Sequence, residues 1–222
     1  MEEHYVRQQG EFTARRRQEK EPAVCSIVLT AVNVIVFFLC IPSAWGEFFY
    51  DEGSFSVLYL ITNHEYYRLV TSMFLHADME HLLNNMLLLY LCGEIVEKSI
   101  GKVRFLLLFF VSGICGNLLS AAYEVMTGSY YNSIGASGAV FGLVGGLLFL
   151  VLVRRGKAVQ ISIQRMVLMV VFSLYSGFNS AQVNNAAHVG GLISGFLLAF
   201  LLCLTLKEKK AGNTETFGAW QE

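Results

Sequence analysis

The sequence predicts an all-α polytopic membrane protein: a six-transmembrane-helix bundle with an interfacial loop between the first two helices. Three observations point there. Of 222 residues, 55% are hydrophobic, above the roughly 45–50% of a soluble domain. The mean hydropathy is +0.52, and the apolar residues gather in long runs rather than in one stripe per helix. Basic residues fall in clusters between alternate runs, as an even number of spans requires.

Residues 1–22 form a polar, basic tail with no apolar run near the N-terminus, so a cleaved signal peptide is not expected. Six apolar segments follow, at roughly 23–41, 80–97, 103–122, 136–153, 163–179 and 186–206. Each is about 17–21 residues long, enough to cross ~30 Å of hydrocarbon at ~1.5 Å per residue. The fifth is diluted by Ser173, Ser176 and Gly177. Residues 207–222 form a C-terminal tail, which leaves 23–206 as the six-span core.

Charge sets the orientation. Arg7, Arg15, Arg16, Arg17 and Lys20 precede the first span. Lys98, Lys102 and Arg104 follow the second, Arg154, Arg155, Lys157 and Arg165 the fourth, and Lys207, Lys209 and Lys210 the sixth. With six spans, 15 of the 16 basic residues share one side, and both termini are expected to be cytoplasmic. Arg68 alone faces outward, where a structural tie within its loop is expected rather than a substrate contact. Short tails with this bias suit a bacterial plasma membrane. The net charge of −1 supplies no field for nucleic acid. The five cysteines lie in or beside apolar runs without paired spacing and read as small buried hydrophobes.

The outer connection 42–79 is long enough for structure of its own. Its aromatics, Trp45, Phe48, Phe49, Tyr50, Phe55, Tyr59, Tyr66 and Tyr67, suit the headgroup level. The other outer connections, near 123–134 and 180–185, are short and polar.

Counting back from the basic clusters gives heights. Ser137 lies 17 residues before Arg154, His188 lies 19 before Lys207, and His81 lies 17 before Lys98. At ~1.5 Å per residue all three stand roughly 25–28 Å above the cytoplasmic face. An ionisable side chain at such depth implies function. Gly138, Gly142 and Gly146 leave one stripe of the fourth span bare, and Gly191 and Gly195 do the same on the sixth. Such stripes let helices pack backbone to backbone. If the two face each other, Ser137 and His188 come within hydrogen-bond reach, about 2.6–3.2 Å, as a nucleophile and its base. His81 and Asn85, four apart, share a face of the second span and, with the Ser137 amide, offer donors for an oxyanion. Asn84 lacks that spacing. No Asp or Glu belongs to this layer: Asp78, Glu80 and Glu124 are expected in or beside outer loops. Glu97, near the cytoplasmic end, is expected to bond neighbouring helices. His76 is expected to be structural, and His64 and His4 exposed.

These same residues resemble the rhomboid family of intramembrane serine proteases. The matching elements are Gly135-x-Ser137-Gly138, Ala187-His188-x-x-Gly191-x-x-x-Gly195, and the run from His76 through His81 to Asn85. Tyr67-Arg68 stands where many members have Trp-Arg, and Phe141 where some carry a Tyr beside the histidine. The resemblance covers about residues 23–206. It implies Ser137 as nucleophile, His188 as base, and His81 and Asn85, with Gly135 beside them, around the oxyanion. The implied substrates are single-span transmembrane proteins cut near the outer end of their helix, after a small residue. The partners are those substrates and the lipid bilayer, with no metal, cofactor or nucleic acid. Two other readings stand beside this one: a catalytically inactive rhomboid-like protein that binds membrane clients, and a small solute transporter. The transporter needs broken helices, yet Pro22 and Pro42 both lie outside the spans.

Overall fold

The computed structural model describes residues 22–41, 44–154 and 184–215. Within them the chain is helical. The helices are α1 (Val24–Cys40), α2 (Ala44–Gly53), α3 (Val57–Thr62), α4 (Arg68–Thr71) with a 3-10 turn at Ser72–Phe74, α5 (Met79–Ile100), α6 (Lys102–Thr127), α7 (Ser137–Arg154) and α8 (Asn185–Glu215). The single extended pairing among these residues is an isolated antiparallel bridge between Phe55 and Ser133.

Helices α1, α5, α6, α7 and α8 fall on five of the six apolar segments. The fifth segment, 163–179, lies outside the described residues. Helices α6 and α8 (over Asn185–Leu204) are long and apolar enough to cross a membrane, and α1 and Ser137–Leu152 of α7 are shorter apolar helices. Helix α5 has the length, but Glu80, His81, Asn84, Asn85, Glu94, Glu97 and Lys98 interrupt its hydrocarbon character. The turn expected after the second segment is one residue, Gly101, at φ +88°. Lys98 and Lys102 therefore sit inside helices rather than in a loop. Helix α8 continues through Glu215, past the expected end of its span.

Helix α7 is the centre. Every residue from Gly138 to Leu147 is buried, with α5, α6 and α8 packed around it and α1 against α5. Outward faces are apolar: Ile27, Ile35 and Leu39 on α1, Leu83 and Leu87 on α5, Val103 on α6, and Ile193, Leu197 and Leu201 on α8. A soluble monomer does not display apolar surface on every helix of its perimeter; a bilayer accepts it.

Charge is buried where a helix end satisfies it. Glu97 of α5 accepts hydrogen bonds from the amides of Cys25 (3.0 Å) and Ser26 (2.8 Å) in the first turn of α1. The carboxylate thus meets orphan N–H groups and the positive end of the helix dipole. This joins neighbouring helices, as expected of Glu97.

The segment 44–74 folds around Arg68, which is 3% exposed. Its guanidinium donates to Glu65, to the Asp51 carbonyl at 2.5 Å and to the Ser54 carbonyl at 3.1 Å. Glu52 stands 3.6 Å away, and the Tyr59 ring lies 4.6 Å from the guanidinium carbon. Hydrogen bonds from Asn63 and then Arg68 hold the Glu65 carboxyl below the usual carboxylate range. Phe55, wholly buried, exchanges two backbone hydrogen bonds with Ser133 at 2.8 and 2.9 Å, tying this segment to the strand-like approach to α7.

Candidate functional site

The glycine stripes meet. A Cβ at Gly191 would fall inside 3.0 Å of the Gly138 carbonyl, and one at Gly195 inside 3.0 Å of the Gly142 backbone. A third wall comes from α6, where a Cβ on Gly116 would stand 2.7 Å from the Ala187 carbonyl and 3.4 Å from Gly138 Cα. Three helices therefore touch along their backbones at the level of Gly138, beside Ser137 and His188. Gly113 and Gly116, three apart, share a face of α6, outside the glycine stripes that the sequence marks on the fourth and sixth spans.

Ser137 is the first residue of α7 and is half-buried. Phe141 follows one turn later on the same face. His188, fourth in α8 and 6% exposed, lays its imidazole on the Phe141 ring with centroids 4.3 Å apart and planes 10° from parallel. Among the described residues its Nδ1 is buried with no hydrogen-bond partner, so there ring packing and no carboxylate sets the plane of the imidazole.

His81 is held from the N-terminus of α5. Asp78 caps that helix by accepting from the His81 amide at 2.8 Å, an N-cap arrangement. The Ala77 amide points at His81 Nδ1 over 3.5 Å. A ring nitrogen that accepts leaves the proton on the other one, so Nε2 is the donor. Gly135 lies against that edge. A Cβ there would stand 2.7 Å from His81 Cε1 and Nε2, and 3.8 Å from Asn85 Nδ2. Gly135 also has φ +124°, a conformation that excludes side chains. Its own amide donates to the Ser72 carbonyl at 2.8 Å. Asn85 is 5% exposed and its Nδ2 is buried without a partner among the described residues, whereas Asn84 is exposed. Two donors, His81 Nε2 and Asn85 Nδ2, thus face the glycine that lies two residues before Ser137.

His76 is fully buried behind His81, edge to face at 5.1 Å. Burial, then the neighbouring His81 ring, pushes its pKa down to about 4. Tyr50 donates its hydroxyl to the His76 carbonyl. A cavity of about 420 Å³ beside Tyr50 and Ala77 is lined by Phe37, Cys40, Ile41 and Glu47; Ser137, His188 and Asn85 are not among its walls.

Glu124 stands beside an outer loop, as expected of it. It is part of α6, fully buried, with Ser120 donating to its Oε1 at 3.0 Å. The Ser120 hydroxyl in turn accepts from Asn184 Nδ2 at 2.6 Å, which also donates to Ser133 at 2.8 Å. Spacing along the chain carries no trace of this network, whose members are 51 and 64 residues apart.

The rhomboid domain family matches residues 63–205, about two thirds of the chain, a range that includes His81, Asn85, Gly135, Ser137 and His188. YdcA of Bacillus subtilis (strain 168), a rhomboid relative, is 39% identical over 150 residues, 68% of this chain and 73% of its own length. Rhomboid protease GluP of the same organism is 37% identical over 145 residues, 65% of this chain and 28% of that protein. RHOMBOID-like protein 4 of Arabidopsis thaliana is 38% identical over 156 residues, 68% of this chain and 38% of that one. The family is one of integral membrane proteins, which the apolar perimeter of the bundle fits, and the chain belongs to the rhomboid family.

Proposed function

We propose that the chain is an intramembrane serine endopeptidase acting through a Ser137–His188 dyad. The observation that carries this is the His188 imidazole stacked on Phe141, one helical turn from Ser137. GluP, whose name makes it a protease, supports the same chemistry.

In this reading Ser137 Oγ passes its proton to His188 and attacks a peptide carbonyl, forming the C–O bond. The oxyanion is met by His81 Nε2–H, Asn85 Nδ2–H and the Ser137 amide, donors placed before charge develops. His188 then delivers the proton to the leaving amine as the C–N bond breaks. Water, deprotonated by His188, releases the acyl group from Ser137. Substrates are single-span membrane proteins entering from the bilayer as locally extended segments, cut near the outer end of the helix after a small residue. The topology is six spans with both termini cytoplasmic, in a bacterial plasma membrane.

Cleavage of a panel of single-span substrates by purified protein in detergent or liposomes, with cut sites read by mass, tests this. Wild type cuts within or beside the transmembrane segment, and Ser137→Ala and His188→Ala do not. Equal cleavage by the Ser137→Ala variant contradicts the mechanism.

A further inference from the structure

Asn184 stands at a junction that the dyad alone does not explain. Its Oδ1 accepts from the Ala187 amide at 3.0 Å, capping the first turn of α8, and its own carbonyl accepts from the His188 amide at 3.2 Å. Because the oxygen is committed to the cap, both hydrogens of the amide nitrogen are free for other partners. One goes to Ser120 of α6 at 2.6 Å, the other to Ser133 at 2.8 Å. Ser133 lies two residues before Gly135 and four before Ser137. It is 8% exposed and is pinned to Phe55 by a reciprocal pair of backbone hydrogen bonds. Ser120 is in turn anchored on Glu124. One side chain therefore joins the start of the helix that carries His188 to the segment that leads into Gly135 and Ser137, and fixes both to α6.

We infer that Asn184 is a positioning residue of the catalytic site, setting the register between His188 and the Gly135–Ser137 turn through its bond to Ser133. This rests on the serine-endopeptidase reading. The glycine contacts hold α7 and α8 together below this level, but they leave the ends of both helices to be set from outside. His188 is four residues past the cap and Ser137 four past Ser133, so a shift at either end reaches the dyad directly. An ångström of misplacement between a nucleophile and its base costs on the order of 100-fold in rate.

Cap and tie can be separated by substitution. Asn184→Ser keeps an oxygen able to cap α8 but is too short to reach Ser133 and Ser120. Ser133→Ala leaves the cap and the Ser120 bond intact and removes only the tie. Asn184→Ala removes everything. Steady-state cleavage of a single-span substrate, the rate of fluorophosphonate labelling of Ser137, and thermal unfolding are measured for wild type and each variant, with Ser137→Ala as the inactive control. Asn184→Ser and Ser133→Ala are expected to unfold near the wild-type temperature, to lower kcat and the labelling rate by roughly 10–100-fold, and to leave KM within about twofold. Asn184→Ala is expected to lose both rate and thermal stability. Wild-type kcat in Ser133→Ala, or kcat that returns together with thermal stability in Asn184→Ser, overturns the inference. Failure of the wild type to cleave or to label at Ser137 overturns the underlying protease reading instead.

Discussion

The imidazole of His188 lies flat on the phenyl ring of Phe141, centroids 4.3 Å apart and planes within 10°. Among the described residues nothing else with polar atoms fixes the ring at Nδ1. An aromatic pair of this kind contributes about 0.5–1.5 kcal/mol beyond simple burial, enough to select one ring orientation. Phe141→Tyr keeps the stack and is expected to retain cleavage within a few-fold of wild type. Phe141→Ala frees the imidazole and is expected to lower kcat by roughly 10–100-fold with little change in KM. Substrate titrations of the two variants check this.

Backbone contact between α7 and α8 requires glycine at Gly191. A Cβ there meets the Gly138 carbonyl, which is rigid main chain rather than a yielding side chain. Gly191→Ala is expected to push the helices apart, at a cost of about 1–3 kcal/mol, and to abolish cleavage because Ser137 and His188 sit at the same level. Gly128→Ala, where nothing lies within 4 Å of the added atom but φ is +70°, is expected to cost stability without comparable loss of activity. Thermal unfolding and cleavage, measured side by side, separate the two.

Much of this arrangement was legible beforehand. Helices α1 and α5 to α8 follow from hydropathy, because long apolar runs form helices wherever lipid or a helical core surrounds them. Ser137, His188, His81 and Asn85 stand out because polar and ionisable side chains are costly in such runs, and Gly135 through the motif it shares with Ser137. The Gly138–Gly191 and Gly142–Gly195 contacts follow from spacing on each helix. Legibility ended where partners are distant in sequence. Glu124 lies in the last turn of α6, past the point where its own charge ends the apolar run. The partners of Asn184 come from two other segments. A tie at Arg68 follows from its place as the lone outward cation, yet its carbonyl partners at Asp51 and Ser54 depend on the path of α2, which no periodicity reveals.

Glu97 caps α1 from a neighbouring helix, 71 and 72 residues away. Removing it leaves one buried and one partly buried amide of the first turn unpaired. Glu97→Ala is expected to destabilise the protein by about 1–3 kcal/mol, and Glu97→Gln by less, since one oxygen remains to accept. Thermal unfolding in detergent reads the difference, while the chemistry of the distant site should be little changed in the folded fraction.

His76 gives the stability a defined acid limb. In the unfolded chain its imidazole titrates near 6.5, and in the fold near about 4, because burial disfavours the cation. Between those values the unfolded chain binds more protons, so stability falls as pH is lowered through that window and is fully present above it. Replacing the ring by a neutral amide, His76→Gln, is expected to flatten this limb. Unfolding temperatures recorded from pH 7.5 to 4 for both proteins test it; an unchanged acid limb in the variant would remove His76 as its source.

The central claim is that Ser137 is a nucleophile activated by His188. Its most direct test is the reaction of the purified membrane protein with a fluorophosphonate, the adduct located by peptide mass mapping. A single adduct on Ser137, lost in Ser137→Ala and nearly lost in His188→Ala, is the predicted result. Absence of labelling at Ser137 in folded wild-type protein, or labelling there that is indifferent to His188, would contradict it.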